Sequence, residues 1–325
     1  MTIAKAVLGR VLKAALTLLA IAVLNFMLIH AAPGDPAVVL AGEAGAADEE
    51  FIAQLRERFG LDQPLYVQLW TYVSNVLTFD LGYSFRQNMP VSELILERLP
   101  ATLLLTLSAF GISLTLGIAL GVAAAARAGR ASDSILTTLA LLFYATPLYW
   151  AALMAVLVFS VQLGWLPGFG YETVGANYTG LAHVADVAAH LVLPAMTLGL
   201  FFMAVYMRMT RASMLEVANL DFVKTARAKG LSGRVIRRRH ILRNALLPVV
   251  TLAGLQAGQL VGGAVLTETV FAWPGIGRLM FESLEARDYN TLLGVFIVSA
   301  AMVILFNIIT DIVYRLIDPR IGVKA

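Results

Sequence analysis

Few residues in this chain are able to do chemistry, and their spacing matches no common reaction centre. There is no cysteine, which removes disulfide frameworks, thiolate metal sites and thiol nucleophiles. His30, His183, His190 and His240 are scattered, with no ligand spacing such as His-x-x-x-His. A loop that cradles nucleotide phosphates needs Gly-x-x-x-x-Gly-Lys-Ser/Thr. The five lysines are Lys5, Lys13, Lys224, Lys229 and Lys324, and none follows a glycine. No nucleophile–base pair or metal cluster stands near an apolar run, so no catalytic residue, metal or cofactor site is expected in this chain. Gln256, Gln259 and Asn307 are the polar residues set deep in apolar runs. They are candidates for a solute path, and hydrogen bonds between helices account for them equally well. Glu268 and Asp311 lie at the ends of such runs, and no run carries the central ionisable group usual in ion-driven carriers.

The elements that would position these residues belong to lipid. Of 325 residues, 59% are hydrophobic and 14% charged, against about 25% charged in soluble domains, and mean hydropathy is +0.79. Six runs without Asp, Glu, Lys or Arg are long enough to span a bilayer: 14–34, 99–126, 134–171, 187–207, 244–267 and 289–310. The third, 134–171, reads as one helix of roughly Ile135–Leu163 followed by a Gly-Trp-Leu-Pro-Gly-Phe-Gly turn. With both termini cytoplasmic, the inside segments hold 18 of the 24 Lys and Arg, ten of them in 208–243, as the positive-inside rule requires. A seventh span would break this parity. The first run is longer than a cleaved signal's apolar region and is expected to be a retained helix.

The chain divides accordingly into a first transmembrane helix (1–34), an extracytoplasmic helical insert (35–98), a five-helix core (99–318) with its cytoplasmic loop (208–247), and a tail (319–325). Within the insert, Asp48-Glu49-Glu50 ahead of Phe51, Leu55 and Phe59 marks a helix ending at Gly60. Pro64–Leu77 marks a second, amphipathic helix lying on the membrane or on the protein. Pro147 and Pro194 fall inside the third and fourth spans, where proline kinks a helix.

The loop carries the most information. Residues Asp221–Ser232 read as a short helix with Asn219 or Asp221 as N-cap and Gly230 as C-cap. Ser232 then caps a second helix, Gly233–Leu247, entering the fifth span at Pro248. At 100° per residue Phe222, Val223, Ala226 and Gly230 share one arc. Two very small residues and one large one on that arc suit it to a groove on a partner, and a bulky Ala226→Arg is expected to spare assembly. A basic loop resting on anionic headgroups is the alternative.

This stretch resembles the Glu-Ala-Ala…Gly loop of the permeases of ATP-binding-cassette (ABC) importers. Counted back from Gly230, the Glu-Ala-Ala positions fall on Lys224, Thr225 and Ala226, so the glutamate is absent and only the second alanine remains. The spacing to Leu247-Pro248 is also longer. Both departures resemble the dipeptide/oligopeptide/nickel branch, as do Thr225-Ala226-Arg227-Ala228-Lys229-Gly230-Leu231 and Leu242-Arg243-Asn244-Ala245-Leu246-Leu247-Pro248. Similar to the first permease of such systems are Pro33-Gly34-Asp35-Pro36-Ala37, Gly60-Leu61-Asp62-Gln63-Pro64-Leu65, Asp80-Leu81-Gly82-Tyr83-Ser84, Arg98–Leu103, Glu268–Gly277 and Asp318-Pro319-Arg320.

The resemblance implies an all-α polytopic membrane protein of six transmembrane helices with the type I ABC importer (MetI-like) transmembrane fold. It implies a second homologous permease, two ABC ATPase subunits that hold the ATP and Mg²⁺, an extracytoplasmic substrate-binding protein, and no nucleic acid. The setting is a bacterial or archaeal plasma (inner) membrane. The coupling helix is then Phe222, Val223, Lys224, Thr225, Ala226, Arg227, Ala228, Lys229 and Gly230. Glu268, Phe271, Trp273 and Pro274 are candidates for an outer gate, or for aromatics packed at the interface. A stand-alone channel or secondary carrier, a membrane enzyme and a structural scaffold are the rival classes. Peptides are the first choice of cargo, with nickel, glutathione and other small solutes open.

Overall fold

The computed structural model describes residues 3–31, 38, 41–42, 48–59 and 62–317. Expectations resting on residues 32–37, on Gly60 and Leu61, on 318–325, and on the side chains of Phe51, Leu55, Phe59, Gln259 and Asp311 lie outside the described residues. Apart from one two-stranded hairpin, the regular elements among the described residues are helices: α1 (Ile3–Ala31), α2 (Glu49–Phe59), α3 (Leu65–Leu77), α4 (Val91–Ala125), α5 (Ala131–Ala145), α6 (Leu148–Ala155), α7 (Leu181–Ala218), α8 (Asp221–Ala228), α9 (Arg243–Val270), α10 (Ile276–Ala286) and α11 (Tyr289–Ile317). The hairpin pairs β1 (Tyr83–Ser84) with β2 (Met89–Pro90), antiparallel.

Among the described residues, each of the six apolar runs falls largely on helix, the third being interrupted at 146–147 and non-helical from 163 to 171. Among the described residues, helices α4 and α7 and the 289–310 part of α11 are long and apolar enough to cross a membrane, and Ala131–Ala145 with Leu148–Gln162 meets the same measure only when the two are taken together as one bent pair. Helix α1 contributes a shorter apolar section, Leu12–Leu28. Helix α9 is 28 residues long, with the side chains at 255, 257 and 259–263 outside the described residues.

The expectation of one unbroken helix over Ile135–Leu163 is corrected. The chain turns by 101° between α5 and α6. Pro147 has no N–H to donate and its ring disfavours helical geometry at the preceding residue; here Thr146 is extended at ψ 127° and the helix breaks. Helix α6 then continues as a π-helical segment, Val156–Gln162. Pro194 and Pro248, by contrast, sit inside continuous helices. The second span also starts earlier than its charge-free run, at Val91, and carries Pro100 in its interior.

The chain packs as two units, Met1–Ala101 with Gly275–Ile304, and Thr102–Pro274 with Leu305–Ala325. In the first unit, the Asp80-Leu81-Gly82-Tyr83-Ser84 motif proves to be a structural clasp. Gly82 takes a left-handed φ of +87° that a side chain would strain. That turn brings Ser84 to the buried Asp288, whose Oδ2 accepts from Ser84 Oγ at 2.5 Å and from Thr291 Oγ1 at 2.7 Å. Asp288 Oδ1 accepts the Thr291 N–H at 3.0 Å, the bond that caps the start of α11.

The second unit is built on α7, which packs against α9, α5 and α6. Its apolar window is 56% buried, against 28% for α4 and 33% for α11, so α7 is the core helix and the other two keep more face for lipid or partners. Helix α4 crosses α7 at Gly117 and Gly121. A Cβ on Gly117 would lie 2.5 Å from Tyr206 Cβ, and one on Gly121 would lie 2.6 Å from Thr210 Cβ and 2.7 Å from the Met207 carbonyl. This is the small-xxx-small crossing that lets helices meet in lipid without a hydrophobic driving force.

Near its C-terminal end α7 is pinned by an ion pair. Arg211 donates from Nε and Nη2 to the two oxygens of Asp133, each at 2.7 Å, and the Gly129 N–H adds a third bond at 3.1 Å. The two-pronged guanidinium fixes orientation as well as distance. Hydrogen bonding from Arg211, joined by the Gly129 N–H and the arginine charge, pulls the Asp133 carboxyl down to about 2.

Gly121→Leu is expected to lower stability by about 1–3 kcal/mol or more through overpacking. Gly111→Leu, in open space on the same helix, should change it by no more than about 1 kcal/mol; thermal unfolding in detergent separates the two. Asp133→Asn gives a pH signature. A carboxyl held below its ordinary 3.8 stabilises the fold fully above that value and loses the effect as pH falls toward about 2. The stability gap between parent and variant should therefore stay constant from neutral pH down to 3.8 and close below it.

Candidate functional site

The loop between α7 and α9 is ordered by its own backbone. After Ala218 the chain leaves the helix at Asn219 and becomes extended at Leu220, ψ 152°, which stands as N-cap of α8 without any side-chain bond. The expected caps, Asn219 and Asp221, are corrected here. Asn219 Nδ2 turns back to the Leu215 carbonyl at 3.0 Å, and Asp221 lies inside the first turn, pairing with Lys224 at 2.8 Å. An exposed i,i+3 pair of this kind adds little stability.

Helix α8 ends at Ala228 with Lys229 as its C-cap, so Gly230, expected as the cap, stands one residue beyond it. The Leu231 N–H reaches the Ala226 carbonyl at 3.3 Å and the Gly230 N–H reaches the Arg227 carbonyl at 2.9 Å. That pair of bonds is the Schellman arrangement, and it needs the left-handed residue that Gly230 supplies at φ +73°. Ser232 is the next N-cap, again without a side-chain bond, and opens a turn, Gly233–Val235. A π-helical segment, Ile236–Leu242, then runs directly into α9. The expected join at Pro248 is absent; the helix passes through it.

The face of α8 proposed for docking is also corrected. Val223 is fully buried and Ala226 is nearly so, packed with Met214 and Val217 of α7, Ile236 and Ile241 of the π-helical segment, and Ala245 of α9. These two residues fix α8 to its own chain. Ala226→Arg would thus break that packing instead of sparing the fold. The surface left open consists of Asp221, Phe222, Lys224, Thr225, Arg227, Ala228, Lys229 and Gly230. Phe222 is 41% exposed, and the same helix exposes three cations, Lys224, Arg227 and Lys229. Beneath the loop lies a cavity of about 340 Å³ bordered by Arg227, Arg237, Leu215 and Ala126.

Glu268, Phe271, Trp273 and Pro274 are brought together as one turn. Glu268, Phe271 and Trp273 are fully buried, or within 1% of it. Glu268 accepts from Thr102 Oγ1 at 2.7 Å, and its carbonyl accepts from the Trp273 N–H at 2.9 Å. The Trp273 ring lies 4.8 Å from Tyr171, and the Phe271 carbonyl accepts from the Gly170 N–H at 2.9 Å. Of the deep polar residues, Gln256 is half-buried on α9 and its Oε1 has no partner among the described residues, while Asn307 is exposed on α11. The clasp at Asp288, the Asp133–Arg211 pair and the Gly117/Gly121 crossing were not legible as sites in the sequence. Only the glycine spacing offered a signal.

Two family models match the chain. The one described as "Binding-protein-dependent transport system inner membrane component" covers residues 117–323, and its N-terminal companion covers residues 3–106. The dipeptide transport system permease protein of Alkalihalophilus pseudofirmus is 40% identical, over 94% of this chain and 95% of its own. The glutathione transport system permease protein of Salmonella choleraesuis is 42% identical over 98% and 99%. A putative peptide transport system permease protein of Brucella abortus is 40% identical over 97% and 98%. Among solved structures, an inward-facing methionine ABC transporter (MetNI) aligns with a TM-score of 0.56 at 18% identity, covering 69% of this chain and 96% of that one. The fold is that of a type I ABC importer transmembrane domain, and the chain belongs to the family of inner membrane permease components of binding-protein-dependent transport systems.

Proposed function

We propose that this permease forms half of a translocation pathway for di- and oligopeptides and couples it to separate ATPases through α8. The observation that carries the proposal is the two-sidedness of α8. Val223 and Ala226 are locked to α7, the π-helical segment and α9, while Phe222 at the edge of that buried arc and Lys224, Arg227 and Lys229 elsewhere on the helix stay exposed. A helix fixed on one side and open on the other passes a push received outside to the helices beneath. An exposed aromatic on a short helix that also exposes three cations suits a partner surface offering an apolar pocket and acidic groups.

In this reading a second, similar permease completes the path, two cytoplasmic ATPases hold ATP and Mg²⁺ and each receive one loop, and an external binding protein delivers the cargo. Both termini are cytoplasmic in a bacterial or archaeal inner membrane, in keeping with 18 of 24 Lys and Arg in the inside segments. The named relatives move dipeptide and glutathione, which supports peptide cargo. We assign the 268–274 turn to the outer closure of the path, with Gln256, Gln259 and Asn307 as its polar lining. Differential contacts of α8 with the ATPases in their nucleotide-bound and free states supply the coupling.

The test uses the reconstituted complex with its ATPases and loaded binding protein. Phe222→Asp is expected to leave the unfolding midpoint of the permease unchanged while weakening ATPase docking by roughly tenfold or more, the scale of an aromatic anchor. Stimulated hydrolysis should fall to the basal rate. Val223→Asp is expected to lower the midpoint as well, because it buries a charge with no partner. Full stimulation and transport by the Phe222→Asp complex would refute the assignment of α8.

A further inference from the structure

Helix α3 presents a second unpartnered face, of a different chemistry. At 100° per residue Tyr66, Trp70 and Leu77 fall within about 40° of one another, and they are 75%, 74% and 82% exposed. Gln68 and Tyr72 lie on the opposite side, and through them α3 rests on α1. Gln68 Oε1 is 3.1 Å from His30 Nε2, and the Tyr72 and Phe26 rings are 6.1 Å apart. From Leu65 to Leu77 there is no charged residue; Asp62 and Asp80 flank the helix on either side.

The contacts with α1 fix the level at which α3 sits. The apolar section of α1 is Leu12–Leu28, about 25 Å at 1.5 Å per residue. Phe26 and His30 bracket its end, opposite the basic end marked by Lys5, Arg10 and Lys13. Helix α3 is therefore held where hydrocarbon gives way to headgroups. Helix α1 itself exposes Leu24, Met27 and Leu28 at that level, so lipid-facing surface adjoins α3 already. Trp and Tyr concentrate at this depth because the ring body is apolar and the N–H or O–H stays wet.

From these observations we infer that α3 is an interfacial helix, its Tyr66–Trp70–Leu77 face sunk in the headgroup–acyl boundary of the bilayer and its Gln68–Tyr72 face clamped to α1. The lipid surface, not a protein, is its partner. The helix has no charge with which to select a protein surface, and its exposed face matches an interfacial anchor, which sinks about 5–10 Å. The inference rests on the membrane-spanning reading of α1. Its consequence is mechanical: the insert between α1 and α4 is tethered to the bilayer surface as well as to the chain.

The absence of cysteine makes the test direct. Tyr66→Cys, Trp70→Cys, Leu77→Cys and, as a water-exposed control, Asp62→Cys are made one at a time. Each is spin-labelled in the assembled transporter in nanodiscs of phosphatidylethanolamine and phosphatidylglycerol, without binding protein. Collision with oxygen, which partitions into lipid, is compared with collision with a water-soluble nickel chelate. Oxygen collisions should dominate at 66, 70 and 77, and nickel collisions at 62. Nickel access at 66, 70 and 77 equal to that at 62 would place the face in water, and loss of both collisions would place it under protein; either overturns the inference. ATPase stimulation by loaded binding protein is read on the same samples. A failed depth profile with stimulation intact rejects the interfacial helix alone, whereas lost stimulation in every variant points to the coupling assignment.

Discussion

The burial of Val223 and Ala226 against α7, the π-helical segment and α9 is the contact on which the account depends. A helix of eight residues has no independent stability in water, because nucleation is costly and few backbone bonds follow it. Tertiary packing and a glycine stop must hold α8, and both are present. The same packing makes α8 stiff with respect to the end of α7. An interior packed to solid density transmits displacement instead of absorbing it. Without this contact, an exposed Phe222 would be a side chain on a loose loop, and a force applied there would go nowhere.

The helix beneath is equally constrained. Thr210 and Met207 of α7 meet Gly121 of α4 with no room for a methyl group, and Arg211 grips Asp133 at the turn into α5. Lipid supplies no hydrophobic force to bring helices together, so close backbone approach and a shielded ion pair do that work at the C-terminal end of α7. The break at Thr146–Pro147 lies further along the same unit and turns α6 away from α5. The unit thus combines a braced C-terminal end of α7 with a bent helix pair.

Much of this was legible in the sequence, for physical reasons. Apolar runs report the bilayer directly, since every backbone group inside it must be bonded within a helix. Gly230 announced its own left-handed turn, and Leu65–Leu77 its amphipathic helix. Legibility failed where the deciding partner was distant along the chain. The periodicity of α8 found an arc containing Val223 and Ala226 but could not say that Met214 and Ile241 would cover it. Pro147 and Pro194 look alike as sequence, yet one breaks its helix and the other does not. Asp133 and Arg211 lie 78 residues apart, and Ser84 and Asp288 lie 204 apart, with nothing local to join them.

The central claim is that α8 and the end of α7 move as one body. Lys224 and Glu216 are both exposed, so Lys224→Cys with Glu216→Cys gives a pair of spin labels on the two helices in a chain otherwise free of cysteine. Pulsed electron–electron distance measurement through the ATPase cycle, in nucleotide-free and vanadate-trapped complexes, tests the claim most directly. The account predicts one unchanged, narrow distance distribution in both states. A shift or a broadening of several ångströms between them would contradict it.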